Sequence, residues 1–155
     1  MKSLYIKRKQ LLFFIYCKPL QLPLCFFSFP PATMPRKYSA EHVWIDASNP
    51  EAATVGITVH AQDALGDVVF TDLPAPGTQV TAGQAAGVIE SVKAAADLFA
   101  PASGTVLALN PDVQADPSLL NSAPLGAGWL FTLRLDAPAE LDALMDEAAY
   151  QSFCQ

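Results

Sequence analysis

From residue 42 to residue 135, short runs rich in Val, Ile, Phe and Leu are cut at close intervals by Gly, Pro and Asp. Runs this short and this densely punctuated leave little room for long helices, and they predict an all-β sandwich or barrel. The candidate strands are residues 42–45, 53–58, 67–72, 85–92, 97–100, 105–110 and 129–135. Between them "LPAPGTQVTAGQ" turns twice around the very short strand "TQV", because Pro74, Pro76, Gly77 and Gly83 each favour a turn.

Three helices are expected. One covers residues 60–65 and stops at Gly66, and a second is "DPSLLN", with Asp116 as cap and Pro117 in the first turn. The last is "PAELDALMDEAAYQSF". It starts at Pro138, carries Glu140 and Asp142 in its first turn, and spaces Leu141, Leu144 and Met145 as one apolar stripe packed on the sheet.

The chain of 155 residues is 52% hydrophobic, enough for one domain with a real core. Charge is divided unevenly. Seven of the nine Lys/Arg residues fall in residues 1–37, whereas all 15 acids fall from Glu41 onward, leaving Lys93 and Arg134 as the basic residues after Lys37. So acidic a surface repels nucleic acid and anionic membranes and suits partners with basic docking faces. A single cysteine after residue 33, Cys154, allows no internal disulfide there and fits a reducing compartment.

Composition changes near Met34, where alanine goes from rare to abundant. Residues 1–33 read as an extension separate from a domain at residues 34–155. The run "LLFFIY" is ended by Cys17, Lys18 and Pro19, far short of the roughly 20 residues a membrane span needs. A secretory signal, a transit peptide and translated sequence ahead of a start at Met34 are the three readings of this extension, and the last is preferred.

The segment "GVIESVKAAADLFAPASG", residues 87–104, places Lys93 near a hairpin tip between two similar strand–turn–strand halves. Most surface lysines only solubilise. This one stands nearly alone in an acidic chain, flanked by Ser91, Ala94, Ala95 and Ala96, which leave room for an enzyme to grip the backbone around it. A free amine nucleophile needs burial or neighbouring cations, which this acidic, small-residue setting does not offer, so Lys93 suits enzyme-driven acylation instead.

Those residues carry a resemblance. "ESVKAAADLFAPASG" resembles the lipoylation segment of the glycine cleavage system H-protein family. The likeness continues, in order, through "VGITVHAQDALGDVVFTDLP", "PGTQVTAG", "LLNSAPLGAGWL" and "ELDALMDEAAYQSF". It implies a mainly β, barrel-sandwich hybrid of the lipoyl/biotinyl-like type, with short added helices and a C-terminal helix. It also implies lipoate in amide linkage on Lys93. The implied role is a shuttle without catalysis of its own. Glycine decarboxylase loads the arm with the aminomethyl group of glycine, a tetrahydrofolate-dependent aminomethyltransferase unloads it, and dihydrolipoamide dehydrogenase reoxidises it. A lipoyl ligase or transferase would attach the cofactor. The implied form is a monomer in the cytoplasm, with the mitochondrial matrix as the alternative if residues 1–33 are a transit peptide.

Two departures from the family pattern stand out. In "EHVW", Val43 replaces an acid that the family uses to bind the amine of the loaded arm, and Val59 replaces an acid in "ITV", for which no functional reading is offered. Asp97, the other polar residue of that cleft, is kept. Glu41 is close to Val43 but is expected on the opposite face of the strand.

The rival readings are a lipoyl domain of a 2-oxo-acid dehydrogenase, which usually shows Asp-Lys-Ala where Val92-Lys93-Ala94 stands, and an H-like protein that relays lipoyl groups or carries none. His42 and His60 lack a ligand cluster at metal spacing and read as hydrogen-bonded residues. Cys154 reads as an incidental thiol, and Trp44 and Trp129 as packing.

Overall fold

The computed structural model describes residues 36–155; the expectations for residues 1–33 lie outside them. Nine strands and four short α-helices follow in the order β1 (Lys37–Tyr38), β2 (Val43–Asp46), β3 (Ala53–Ile57), α1 (Val59–Leu65), β4 (Val68–Asp72), β5 (Gln79–Val80), β6 (Ala85–Ser91), β7 (Ala95–Phe99), β8 (Gly104–Leu109), α2 (Pro111–Ala115), α3 (Leu119–Ser122), β9 (Phe131–Leu135) and α4 (Glu147–Phe153). They form two antiparallel sheets, one ordered β1-β2-β3-β9-β8-β5 and the other β4-β6-β7, which do not close into a barrel. Among these residues no helix is long and apolar enough to cross a membrane.

The alternation seen in sequence is what buries the core. In β9, Phe131, Leu133 and Leu135 point inward while Thr132 and Arg134 point out, as period-two side chains must. Ile45, Val55, Leu98, Val106, Leu120 and Leu130 complete a core of almost fully buried residues. On the other face of β2, Trp44 joins Tyr38 and Tyr150 in a second cluster. Its register partner is Gly56, and a Cβ there would lie 2.5 Å from Trp44 Cζ2, so the missing side chain is what lets the indole lie across β3. The indole Nε1–H donates to the Pro124 carbonyl at 3.0 Å.

The expected strands are all present, with ends displaced by a residue or two. The helices differ more. Residues 111–115, unassigned from sequence, form α2: Pro111 occupies its first turn, and Asn110 caps it by accepting from the Asp112 N–H at 3.1 Å. Helix α3 starts at Leu119, later than "DPSLLN" predicts. Asp116 instead closes the preceding turn, accepting from the N–H and hydroxyl of Ser118.

The expected single helix from Pro138 is broken in two. A 3-10 segment, Pro138–Ala143, ends at Leu144, and α4 begins after Asp146. The cause is competition from the sheet. Met145 exchanges two backbone hydrogen bonds with Tyr38, each 2.9 Å, and this pulls residues 144–146 into extended geometry. Asp146 then caps α4 by accepting from the Ala149 N–H at 2.8 Å. The supposed apolar stripe is therefore divided between two clusters, with Leu141 and Leu144 on the main core and Met145 on the Trp44 cluster.

Candidate functional site

Lys93 is exposed at the tip of the β6–β7 hairpin, as the sequence predicts. Ser91 shapes the tip. Its hydroxyl oxygen accepts from the N–H groups of Lys93 (3.2 Å) and Ala94 (3.0 Å), while its O–H donates to the Ala94 carbonyl. The Val92 N–H donates across to the Asp67 carbonyl at 3.0 Å. The lysine side chain lies along the loop after α1 rather than standing free. A Cβ on Gly66 would sit 3.3 Å from Lys93 Nζ and 3.5 Å from Cε.

Strands β6 and β7 of the hairpin also help line an apolar slot of about 220 Å³. Ala61, Ala64 and Leu65 of α1 form one side, Val43, Ile57 and Ile89 line the rest, and Glu41 and Asp97 lie at its edge. Asp97 is exposed, because Ala96 and Leu98 take the inward positions of β7 and leave residue 97 facing out.

The expectation for Glu41 is overturned. Residues two apart in a strand share a face, so Glu41 and Val43 belong together rather than on opposite faces, and both line the slot. His42 between them, just before β2, has φ 61°, in the left-handed region that non-glycine residues rarely enter.

His42 is held in that geometry from several sides. Its carbonyl accepts from the Thr58 N–H at 2.9 Å, and its Nδ1 lies 2.7 Å from the Tyr150 hydroxyl. That hydroxyl is also 2.8 Å from Thr58 Oγ1. The His60 ring lies against the His42 ring at a centroid distance of 4.3 Å, tilted by 42°. His42 thus has the hydrogen-bonded role expected. Among the described residues no group of three or more His, Cys, Asp or Glu is placed to hold a metal ion. Cys154 is half-buried against the aromatic cluster.

Burial first, and then the facing His60, hold the His42 imidazole below its ordinary 6.5, against the opposing pull of Glu41. A depressed value means the neutral ring is the stabilising form. The contribution is complete above 6.5 and is lost as pH falls through the folded value. Burial likewise pushes the Tyr150 hydroxyl up to about 12, so its contribution is complete below 10.0 and is lost as pH rises through about 12. Replacing His42 with Asn, which tolerates positive φ, removes the titration. Urea midpoints measured at about pH 7.5 and about pH 5 are expected to fall further in the parent than in His42→Asn.

Sequence reasoning did not find the roles of Tyr150, Thr58 or Asn121, whose side chains act on backbone distant in sequence. The φ of His42 has no sequence signal either.

A two-sheet sandwich that presents a lysine at a hairpin tip beside a narrow apolar slot has the architecture of a carrier domain of the lipoyl type. The family model described as glycine cleavage H-protein matches residues 36–155. The chain is 54% identical over 117 residues to the glycine cleavage system H protein of Micrococcus luteus, covering 75% of this chain and 91% of that protein. It is 48% identical over 119 residues to that of Thermotoga maritima, covering 77% and 95%. A crystal structure of a glycine cleavage system H protein from Mycobacterium marinum superposes with a TM-score of 0.70 at 39% identity, covering 76% of this chain and 94% of that one. The chain belongs to the glycine cleavage H-protein family, and so is a lipoyl carrier of the glycine cleavage system.

Proposed function

We propose that Lys93 is the residue that carries lipoate, and that this chain presents the arm in turn to glycine decarboxylase, aminomethyltransferase and dihydrolipoamide dehydrogenase. The observation that carries this is the placement of Lys93, exposed at a turn built by Ser91, with its side chain lying over Gly66.

The residues fit the cofactor. Nζ is open to an acylating enzyme, a lipoyl ligase or transferase, and amide formation with the lipoate carboxyl removes the lysine charge. The slot walls of Val43, Ile57, Ala61, Ala64, Leu65 and Ile89 suit a thin hydrocarbon chain. When bound, lipoate supplies a reducible disulfide that carries a one-carbon amine unit. The protein's own work is tethering, which raises the arm's concentration at each docked enzyme, and shielding. Glu41 and Asp97 offer carboxylates to an amine drawn to the slot. Glu41, lining the slot with Val43, takes the part that Val43 cannot.

Asp67, Asp72, Glu90 and Asp97 are exposed on the strands and loop around the tip. They favour basic docking faces and rapid, reversible encounters. The chain itself performs no turnover. It works as a monomer in the cytoplasm, residues 34–155 forming the carrier domain and residues 1–33 an extension ahead of it.

The test is the exchange of labelled bicarbonate into glycine by glycine decarboxylase. Exchange is expected with the chain after treatment with lipoate–protein ligase, lipoate and ATP, and only background exchange with the untreated chain. Equal exchange by both forms would sink the proposal.

A further inference from the structure

We infer that Asn121, 28 residues away from Lys93 in sequence, is a positioning residue for it. The inference rests on the carrier reading above and adds a residue to it.

Asn121 brackets the loop beneath the lysine. Its Nδ2 donates to the Gly66 carbonyl at 2.6 Å, and its Oδ1 accepts from the Val68 N–H at 3.0 Å. One planar amide therefore holds the residues on both sides of Asp67. The Asp67 carbonyl between them receives the Val92 N–H, and Gly66 lies under the lysine side chain. All three loop residues are thereby engaged, one with the lysine's own stem and one with its preceding residue.

The loop needs an outside support. The Gly66 N–H makes the last bond of α1, to the Gln62 carbonyl, the chain then leaves the helix at φ 74°, and a register shift between Val68 and Phe70 interrupts the β4–β6 pairing just beyond. Asn121 can provide that support because α3 is fixed: its neighbour Leu120 is fully buried in the core, and Leu119 packs against it. The amide transmits the position of the core to the hairpin tip.

An enzyme that acylates Lys93 must meet Nζ at a defined place relative to the tip backbone, and small displacements of a reacting group cost rate. A small soluble reagent makes no such demand. This difference separates positioning from general stability.

The experiment uses the full unlipoylated chain and its Asn121→Ala and Asn121→Asp variants. Asp is isosteric and keeps the acceptor for Val68 while losing the donor to Gly66, so it reports on the bracket if the alanine variant does not fold. Three quantities are read: amide hydrogen exchange at Val92 and at the core residues Val55 and Leu133, kcat/KM of lipoate–protein ligase with lipoate and ATP, and the rate at which a small activated ester acylates Lys93, followed by peptide mapping.

Loss of the bracket is expected to raise Val92 exchange about tenfold and lower ligase kcat/KM about tenfold, with core exchange and ester acylation unchanged. Val92 exchange and kcat/KM equal to the parent's would overturn the inference. So would a parallel rise in exchange at Val55 and Leu133, which would make Asn121 a stabilising residue only. A parent chain that accepts no lipoate defeats the carrier reading instead, while Val92 exchange still decides whether the bracket exists.

Discussion

Lys93→Arg is expected to fold as the parent does and to support no glycine–bicarbonate exchange above background. The substitution keeps the positive charge, the length of the side chain and much of its hydration, so steering of partners by charge is preserved. Its site is exposed and makes no side-chain hydrogen bond on which the fold depends, and surface changes of this kind usually alter stability by no more than about 0.5 kcal/mol. What it removes is the amine. A guanidinium stays protonated at any working pH and offers no nucleophilic nitrogen for acyl transfer. Because fold and charge are retained, loss of exchange is attributable to loss of the attachment point. Retained exchange would place the cofactor elsewhere.

Trp44→Ala is expected to produce the largest loss of stability. Trp44 is 2% exposed and is the largest of the fully buried side chains, its indole seated over bare Gly56. Removing a buried aromatic costs about 3–5 kcal/mol, because neighbours collapse only partly into the space. The change also leaves the Pro124 carbonyl without its indole donor. Against a typical stability of about 5–15 kcal/mol, this removes a large share of what holds the domain together. Urea unfolding followed by far-UV circular dichroism is expected to show a midpoint lowered well below the parent's with a similar slope. An unchanged midpoint would show that the Trp44 cluster contributes little.

Sequence revealed most where local pattern and tertiary placement agree. β9 could be read because alternate residues from Phe131 to Leu135 face the core, and the end of α1 because Gly66 stops it. Lys93 could be read because basic residues are so sparse in the acidic chain around it.

Where the reading failed, hydrogen bonds from remote segments prevailed over local preference. The helical pattern after Pro138 was genuine, yet two bonds from Tyr38 outcompeted it at Met145. Thr58 and Tyr150 likewise hold His42 in a left-handed conformation its own backbone disfavours. The role of Asn121 depends on a loop 55 residues earlier in the chain. No periodicity records such a contact.

The central claim is that Lys93 carries lipoate, and intact mass with peptide mapping tests it most directly. The protein would be isolated from its native host grown with ample lipoate, alongside Lys93→Ala. A lipoyl mass increment on the peptide containing Lys93, absent from the variant, is the predicted result. An unmodified Lys93, or an increment mapped to another residue, would contradict the claim.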